Sequence, residues 1–497
     1  MGTITVSNFA GGLDRTRPIY ALENGRLWTG NNGHITRGGD FEKRKGFISI
    51  LSGIELVNKT YGCLSDGVYK LYVYGSANIL GYPVNVAMTN FDSGSIQINY
   101  VRLQNAAANM TKVRSADWFA GKQYVIADFD DGKTVHFYDG VIVSDWFTGG
   151  ASLPTSTSQT AAMMTYKRKV YAALQSLLYF SAYDFPTYWF YGVTPTKPGA
   201  GFLNMSNNLT GNELITALAV YKSQLAVFSP NAIQLWSMDN NPTLNAPGQI
   251  ITGTGTTAKK TVIGFGDKDV VYLSKSGIRS LQAIDYGGTA TVQDLGTPID
   301  ALIQENIPMG YDIAERSCAC VDPVDGRLWM NLAGVIYVYS YFPGKKIAAW
   351  TTYTGAGCTD ITDMVVVGNR VVTRDSTGNM YAYGGTTGLE YDYEPATVQL
   401  PFMSMADASG YKQITGFDAA LSGTWDVNLL FDPSDLTQKV SIGTVDAFTY
   451  NDPNIGAVGY GTHIAPSLVS SASPTAASLS AVSLHYLGGE RDTGSKK

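Results

Sequence analysis

Apolar and polar residues alternate in short runs along the chain from about residue 66 to residue 385. Residues 123–127 and 134–138 form one pair of such runs, and residues 225–228 and 233–236 form another, each pair joined by a turn that contains Asp, Asn or Gly. Alternation with a period of two, interrupted by turns of this kind, is the pattern of β-hairpins. The sequence therefore predicts a succession of hairpins.

Similar hairpin units recur along this part of the chain, centred on Val170, Val270, Leu328 and Val371. Successive centres lie roughly 40 to 60 residues apart, close to the 40 to 50 residues that one four-stranded blade of a β-propeller requires. We therefore predict an all-β fold with a β-propeller of about six blades. A weaker unit at residues 68–74 is either a seventh blade or the strand that closes the ring.

The composition favours strands and turns over helices. The chain has 54 glycines and 31 tyrosines, and long stretches rich in Leu, Lys and Glu are nearly absent. A helix is expected only at residues 299–306, where Leu302 and Ile303 follow Pro298. A helix of this length would connect larger elements.

The hydrophobic pattern changes near Pro395. Longer alternating stretches follow, for example at residues 397–403, 425–431 and 479–486, and they predict a small antiparallel β-sandwich. The expected organisation has four parts: an N-terminal extended docking segment at 1–50, the propeller at 51–394, the β-sandwich at 395–490 and a flexible tail at 491–497.

Charged residues make up 15% of the chain, against an average near 25%. Few charges combined with many Tyr and Trp residues are typical of surfaces buried in an assembly, although a neutral, Gly-rich secreted β protein would have the same composition. The net charge of −6 argues against capture of nucleic acid by the whole surface, since phosphate neutralisation requires clustered Lys and Arg.

No segment predicts a membrane location. No apolar run approaches the ~18 residues that a spanning helix requires, and the first residues lack the charged and apolar regions of a signal peptide. We therefore expect no direct insertion into a membrane.

Neither a metal site nor a cofactor site is predicted. The cysteines are too few for a disulfide scaffold and lie far in sequence from the four histidines, so burial as small apolar residues is the better interpretation. They are Cys63, Cys318, Cys320 and Cys358. Residues 253–258 match the dinucleotide-binding fingerprint formally, but the alternation that follows predicts a strand, which offers no helix N-terminus to a pyrophosphate.

Paired carboxylates are the candidates for enzymatic activity, because glycoside hydrolysis requires two acidic side chains about 5 to 10 Å apart. Three pairs are close in sequence: Asp322 with Asp325, Asp360 with Asp363, and Glu390 with Asp392. Each pair fits a turn or strand-end role more simply. No catalytic residue is therefore assigned and the protein is not expected to be an enzyme, with polysaccharide hydrolysis kept as an alternative.

The N-terminal segment carries a family resemblance. Phe9-Ala-Gly-Gly-Leu13 precedes Asn31-Asn-Gly-His-Ile35 and then the Gly-bounded basic stretch at residues 38–47. This order resembles the opening of virion proteins from short-tailed bacteriophages. Further similar segments follow in order at residues 179–189, 214–236, 277–281, 294–300, 462–466 and 484–486. Over nearly its whole length, the chain resembles a tail nozzle protein, also called a packaged-DNA stabilisation protein.

The resemblance implies a location and a set of partners. Proteins of this family are expected to form a homohexameric ring around a central channel, below the portal and its adaptor ring and in contact with tail fibre or tailspike proteins. The ring closes the channel on the packaged double-stranded DNA until infection. The protein would then be a structural component of the virion, made in the host cytoplasm. A tail receptor-binding protein or glycan depolymerase is the alternative.

A basic triplet, Lys43, Arg44 and Lys45, is the candidate docking segment of such a ring. It would contact the adaptor ring or DNA, unless it forms a solvated turn balanced by Asp40 and Glu42. 

The candidate gate is the Gly- and Thr-rich connection from residue 244 to residue 257, because a gate requires a loop that can move while the strands hold the ring rigid. Its candidate residues are Leu244, Asn245, Gly253 and Gly255. Trp236, Trp329 and Trp350 are expected in the blade core rather than at a binding surface.

Overall fold

The computed structural model describes the chain in segments: residues 2–51, 58–65, 70–79, 82–90, 97–101, 110–129, 135–138, 143–145, 160–189, 192–194, 197–208, 213–266, 269–283, 290–405, 410–446, 456 and 459–488. The structure is 53% strand and 7% helix, which confirms the all-β class. The expected tail at 491–497 lies outside the described residues.

Seven antiparallel units of four strands follow one another in the described residues. Five are separate four-stranded sheets, one carries an additional strand, Gly192–Thr194, and one continues into a larger sheet. The strands of blades one to four, in order, are Asn58–Ser65, Lys70–Ile79, Tyr82–Asn90 and Gln97–Val101; Met110–Phe119, Lys122–Phe129, Val135–Tyr138 and Val143–Asp145; Thr160–Tyr166, Lys169–Leu174, Leu177–Phe180 and Lys197–Asn204; and Ala217–Tyr221, Gln224–Phe228, Ala232–Ser237 and Ala246–Thr252. The strands of blades five to seven are Ile263–Phe265, Asp269–Ser274, Gly277–Ala283 and Ala290–Gln293; Cys318–Val321, Leu328–Leu332, Val335–Phe342 and Ile347–Tyr353; and Ile361–Val367, Arg370–Asp375, Met380–Tyr383 and Phe47–Leu51.

The first strands of successive blades lie side by side and close a ring. Ile361–Val367 of blade seven lies against Asn58–Ser65 of blade one, as well as against Cys318–Val321 of blade six. This arrangement is a β-propeller, as the hairpin repeat predicts. It has seven blades rather than the six we predict from sequence, because the weak unit near residues 70–74 belongs to a complete blade with its own four strands.

Blade seven is built from both ends of the propeller sequence. Its outermost strand, Phe47–Leu51, precedes blade one in the chain and pairs antiparallel with Met380–Tyr383, so that Phe47 lies opposite Tyr383. Backbone hydrogen bonds between the N-terminal strand and the last blade therefore close the ring.

The remaining strands form two packed sheets, in which the predicted C-terminal strands pair with strands from the N-terminal region. The first contains Gly2–Val6, Ser478–Gly488, Lys412–Ser422, Gly459–Gly461, Phe41–Lys43 and Gly33–Ile35. The second contains Thr29–Asn31, Thr397–Gln399, Ala465–Ser470, Trp425–Leu430 and Lys439–Val445. This second sheet continues from blade six, because Asn31 pairs in parallel with Thr352. A short parallel pair, Gly12–Leu13 with Arg26–Leu27, accompanies them.

Helices are short and connect strands, as predicted. Asp300–Asn306 lies at the predicted position after the 3-10 turn Thr297–Ile299 and buries Ile303 against the core between blades five and six. The other helical segments are Ile313–Arg316 and the 3-10 turns Met205–Asn208, Pro242–Leu244, Lys259–Thr261 and Pro343–Lys345. Within the described part of the chain, none of these helices is long and apolar enough to cross a membrane.

The N-terminal residues are not the separate docking segment predicted from sequence. Phe9, Leu27 and Phe41 are buried in the sandwich core, where they pack with residues from the C-terminal part of the chain such as Trp425 and Leu479. The physical reason is length, because strands of two to five residues can bury an apolar side chain only within a sheet that other segments provide. The sandwich is thus made from both ends of the protein.

We predict that Phe41→Ala lowers the free energy of unfolding by about 3 to 5 kcal/mol, because it removes a fully buried ring from the sandwich core. The matched control, Tyr20→Ala, removes a ring of the same N-terminal region that is 56% exposed, and should change stability by less than about 0.5 kcal/mol. Denaturant unfolding measures both. Equal stability of Phe41→Ala and wild type would show that the N-terminal region is not integrated into the sandwich.

Candidate functional site

Arg44, one of the three candidate docking residues, is fully buried between the propeller and the sandwich. Its Nη1 donates to Oδ2 of Asp392 at 2.7 Å and its Nη2 to the carbonyl oxygen of Thr354 at 3.1 Å. Its Nε donates to Oδ1 of Asn32 at 3.0 Å. A buried cation is retained only when it is paired and hydrogen-bonded, and these contacts meet that requirement. Arg44 therefore joins the two parts of the molecule and cannot dock another protein.

Lys43 is buried as well, and both interpretations of the triplet are wrong for these two residues. The ammonium group of Lys43 donates to the carbonyl oxygens of Ser473 and Asp392, at 2.7 and 3.3 Å, and burial lowers its pKa. Lys45 differs from its neighbours, because it is partly exposed and lines a cavity. Neither a DNA contact nor a solvated turn describes the triplet.

Half of the candidate gate at residues 244–257 is a strand and not a mobile loop. Ala246–Thr252 is the outermost strand of blade four and pairs with Ala232–Ser237. Leu244 is 62% exposed at the start of this strand, and the side-chain oxygen of Asn245 accepts a hydrogen bond from the Asp239 N–H at 2.8 Å. Leu244 and Asn245 therefore lie next to the outermost strand of blade four and not at the axis of the propeller.

The glycines of this segment have structural roles. Gly253 adopts a positive φ of 80° and its N–H donates to the Asn231 carbonyl oxygen at 2.9 Å. Gly255 packs so closely on the backbone that a Cβ atom there would lie 2.1 Å from the carbonyl oxygen of Ser229. The fingerprint-like stretch at residues 253–258 leads into the three-residue turn Lys259–Thr261 and then into a strand, so that no α-helix begins there.

The turn Lys259–Thr261 occupies the axis of the propeller. It belongs to the connection into blade five but lies against the first strands of blades four and six. Lys259 Nζ donates to the carbonyl oxygen of Arg114 in blade two, and Lys260 Nζ lies 2.7 Å from Oδ1 of Asp363 in blade seven. Two successive lysines therefore reach blades two and seven, and the turn extends into the central space.

Asp363 is held in a buried ion cluster with Lys260 and Arg374. Burial alone would raise the pKa of Asp363, but the two cations outweigh it and lower the pKa below its ordinary value. A carboxylate of this kind stays ionised and is not a proton donor. The pair Asp360 with Asp363 is thus structural, and Asp360 itself pairs with Arg316.

The remaining acidic candidates also have structural partners. Asp392 accepts hydrogen bonds from Arg44 and from the N–H of Phe47, and Glu390 accepts one from the hydroxyl group of Thr387 at 3.4 Å. The turn roles weighed in the sequence analysis are therefore observed for these residues. Asp322 and Asp325 differ, because both line a cavity.

A cavity of about 520 Å³ lies between the first sandwich sheet and blades six and seven. Its sandwich side includes His34, Arg37, Glu42 and Lys45, and its propeller side includes Asp322, Asp325, Arg327, Arg370 and Tyr383. Its volume falls in the range of small-molecule sites, which occur preferentially where two domains meet. We refer to this cavity as the junction pocket.

Burial perturbs the acid–base groups of the junction pocket. For both Glu42 and Asp322, burial is the largest influence and raises the pKa of the carboxyl group. The positive charge of Arg327 opposes this shift. Asp325 instead forms an ion pair with Arg327. Perturbed carboxyl groups in a cleft are a physical signature of functional sites, and sequence reasoning missed Glu42 because its cavity exists only after the sandwich has packed on the propeller.

His34 contributes a buried, neutral imidazole to the same pocket. Its Nδ1 lies 2.8 Å from the hydroxyl oxygen of Tyr353, and its pKa is well below the ordinary value because of burial first and of Arg327 and Lys45 second. The neutral ring can accept or donate a hydrogen bond at neutral pH. The pocket can therefore hold a polar molecule but contains no assigned nucleophile.

The cysteines and tryptophans singled out from sequence are packing residues where the structure describes them. Cys318, Cys320 and Cys358 are buried, whereas the side chain of Cys63 lies outside the described part. Trp236, Trp329 and Trp350 are buried in the blades, which confirms the blade-core prediction. Among the described side chains, no group of three or more His, Cys, Asp or Glu residues could hold a metal ion.

The comparisons with known proteins assign no family to this chain. No protein-family model matches the sequence, and the comparison with curated proteins gives no match. Among solved structures, the chain is similar to a protein from Lactobacillus plantarum, with a TM-score of 0.40 and 10% identity over 67% of this chain and 92% of that chain. It is also similar to the Neurospora crassa Pan2 WD40 domain, with a TM-score of 0.38 and 10% identity over 71% and 97% of the two chains. Because these similarities are low, the fold assignment depends on the strand order and ring closure described above.

We predict that His34 makes stability depend on pH. Its folded pKa lies below its unfolded value, so the stabilisation is complete above the unfolded pKa of about 6.5 and declines as the pH falls towards the folded pKa. Relative to His34→Gln, wild type should lose up to about 1.4 kcal/mol of unfolding free energy per pH unit below pH 6.5. Glu42 and Asp322, whose pKa values are raised, act in the opposite direction in both proteins.

Denaturant unfolding at several pH values between about 7 and 5 measures this difference. His463→Gln is the matched control, because His463 lies outside the pocket, and it should retain the wild-type pH dependence. Parallel curves for wild type and His34→Gln would contradict the prediction.

Proposed function

We propose that this protein is a structural component of a short-tailed bacteriophage virion. In this proposal, six copies form a ring at the distal end of the tail channel, retain the packaged double-stranded DNA and release it at infection. The ordered series of segments that resembles tail nozzle proteins is the observation that carries the proposal. Its N-terminal part, residues 31–47, contains Asn32 and Arg44, and these are the residues that join propeller to sandwich in this fold.

The architecture of the subunit supports a role under mechanical load. The sandwich contains strands from both ends of the chain, one of its sheets continues into blade six, and Arg44 is buried between the two parts. Relative motion of propeller and sandwich would break these backbone and side-chain hydrogen bonds. A subunit of this kind is suited to the wall of a channel that must resist the pressure of packaged DNA.

The DNA channel of the proposed ring would lie between subunits and not within a propeller. The axis of each propeller is occupied by the turn Lys259–Thr261 and its contacts with Arg114 and Asp363. A net charge of −6 suits a channel wall that does not hold phosphates strongly, since strong contacts would slow ejection. The adaptor ring and the tail fibre or tailspike proteins would bind to the two ends of the ring.

The alternative is a tail protein that binds or cleaves a cell-surface glycan. The junction pocket is the observation that favours it, because it places carboxyl, imidazole and cationic groups in a cavity of suitable size. The two functions differ in what a virion lacking the protein would do. A virion without a nozzle loses DNA, whereas a virion without a receptor-binding protein keeps its genome and fails to adsorb.

We predict that the protein joins virion tails as a six-fold ring. Negative-stain images of tails with added purified protein should show extra density at the distal end of the tail, and averages of this density should have six-fold symmetry. Tails without the protein should lack it. Mass photometry should show six copies for each tail. The free protein is not the test, because subunits of a virion can remain monomeric before assembly. Virions that lack the protein should release DNA into the medium. Tails that never acquire the protein, or protein-free virions that retain DNA, would contradict the proposal.

A further inference from the structure

Two cations of the junction pocket form no ion pair with the described residues. The ammonium group of Lys45 has no ion pair or hydrogen bond with the part of the chain that the structure describes, although the lysine is close enough to lower the pKa values of Glu42, Asp322 and His34. By contrast, the neighbouring Arg44 forms an ion pair with Asp392 and donates from all three of its guanidinium nitrogens. An ammonium group that forms no ion pair or hydrogen bond and lies next to a cavity is available to a ligand.

Arg370 is the second such cation. Its Nη1 donates to the carbonyl oxygen of Gly385 at 3.0 Å, but its Nε is buried without a hydrogen-bond partner among the described residues. An unsatisfied buried donor costs about 1 to 3 kcal/mol, so a native protein retains one for a reason. Gly388 lies beside this nitrogen, and a Cβ atom at that position would be 3.3 Å from it. The glycine backbone therefore packs closely on the guanidinium group, where a side chain would crowd it.

Polar groups that suit hydroxyls face the same cavity. The carboxylate of Glu42 makes no hydrogen bond to the described residues, and His34 uses only Nδ1, for its contact with Tyr353. Val324 and Leu389, which are 57% and 72% exposed, add apolar surface to the lining. A simple inorganic anion would use neither the volume of about 520 Å³ nor these acceptors.

We propose that the junction pocket binds a small acidic saccharide, with Lys45 and Arg370 holding its carboxylate and Glu42 and His34 hydrogen-bonding its hydroxyl groups. Charge-assisted hydrogen bonds from Lys and Arg to a carboxylate are about twice as strong as neutral ones. These bonds provide the affinity for the carboxylate of the ligand. The side chains of Glu42 and His34 select a ligand with several hydroxyl groups. This inference is independent of ring formation, because the pocket lies within one subunit.

Calorimetric titration of the full-length protein with glucuronate, glucose and inorganic phosphate tests the proposal. Glucuronate should bind at least tenfold more tightly than glucose, which lacks the carboxylate, and than phosphate, which lacks the hydroxyl pattern. Lys45→Met and Arg370→Gln should each weaken glucuronate binding at least tenfold. Lys439→Met and Arg17→Gln are the matched controls, since both residues are exposed outside the pocket, and they should bind as wild type does.

Two results would overturn the proposal. One is the absence of glucuronate binding to wild type at concentrations up to about 10 mM, where even millimolar affinities are measurable. The other is binding that phosphate matches, or that the pocket variants leave unchanged. The comparison of the three probes uses wild type alone, so it decides the question even if a variant fails to fold, which thermal unfolding of each variant would reveal.

Discussion

The rest of the structure depends on the burial of the Arg44 guanidinium group. Transfer of a cation from water into a protein interior costs several kcal/mol unless its hydrogen bonds are replaced. Here the replacements come from different parts of the chain: Asn32 belongs to the sandwich, Thr354 follows blade six, and Asp392 lies in the connection between propeller and sandwich. The charge is satisfied only when all of these segments are in place. Arg44 therefore couples the assembly of the propeller to that of the sandwich.

This coupling explains how the N-terminal region serves both parts of the molecule. The chain first contributes strands to the sandwich, passes through Arg44, and then supplies Phe47–Leu51 to blade seven. Asp392 accepts from both Arg44 and the N–H of Phe47, so the carboxylate that neutralises the buried cation also fixes the start of the strand that closes the propeller. The same contacts fix the backbone at the junction pocket, because Lys45, which lines the pocket, directly follows Arg44.

Hairpins and short helices could be predicted from the sequence, because neighbouring residues determine them. The hairpin at residues 225–236 and the helix Asp300–Asn306 follow from alternation and from Pro298, and both are observed. The burial of Arg44 was not predictable, because its partner Asp392 is 348 positions away and charged residues are rarely buried unless paired. The gate was mistaken for a loop because Ala246–Thr252 is an outer strand rich in exposed positions, so no apolar alternation marks it. Of the junction pocket, the sequence pointed only to single residues such as Asp322 and Asp325, since the walls of the cavity come from both parts of the molecule.

The occupied axis has a consequence for where function can reside. A propeller surrounds a central channel, but in this protein Lys259 and Lys260 span that space and their ammonium groups are bonded to blades two and seven. Removing the turn would take from the buried Asp363 one of the two cations that it contacts, and only Arg374 would remain. The axis is therefore part of the stabilising structure, as Arg44 is. Lys45 and Arg370, whose interactions are incomplete, lie instead where the sandwich meets the propeller, and a binding function is more consistent with that position than with the axis.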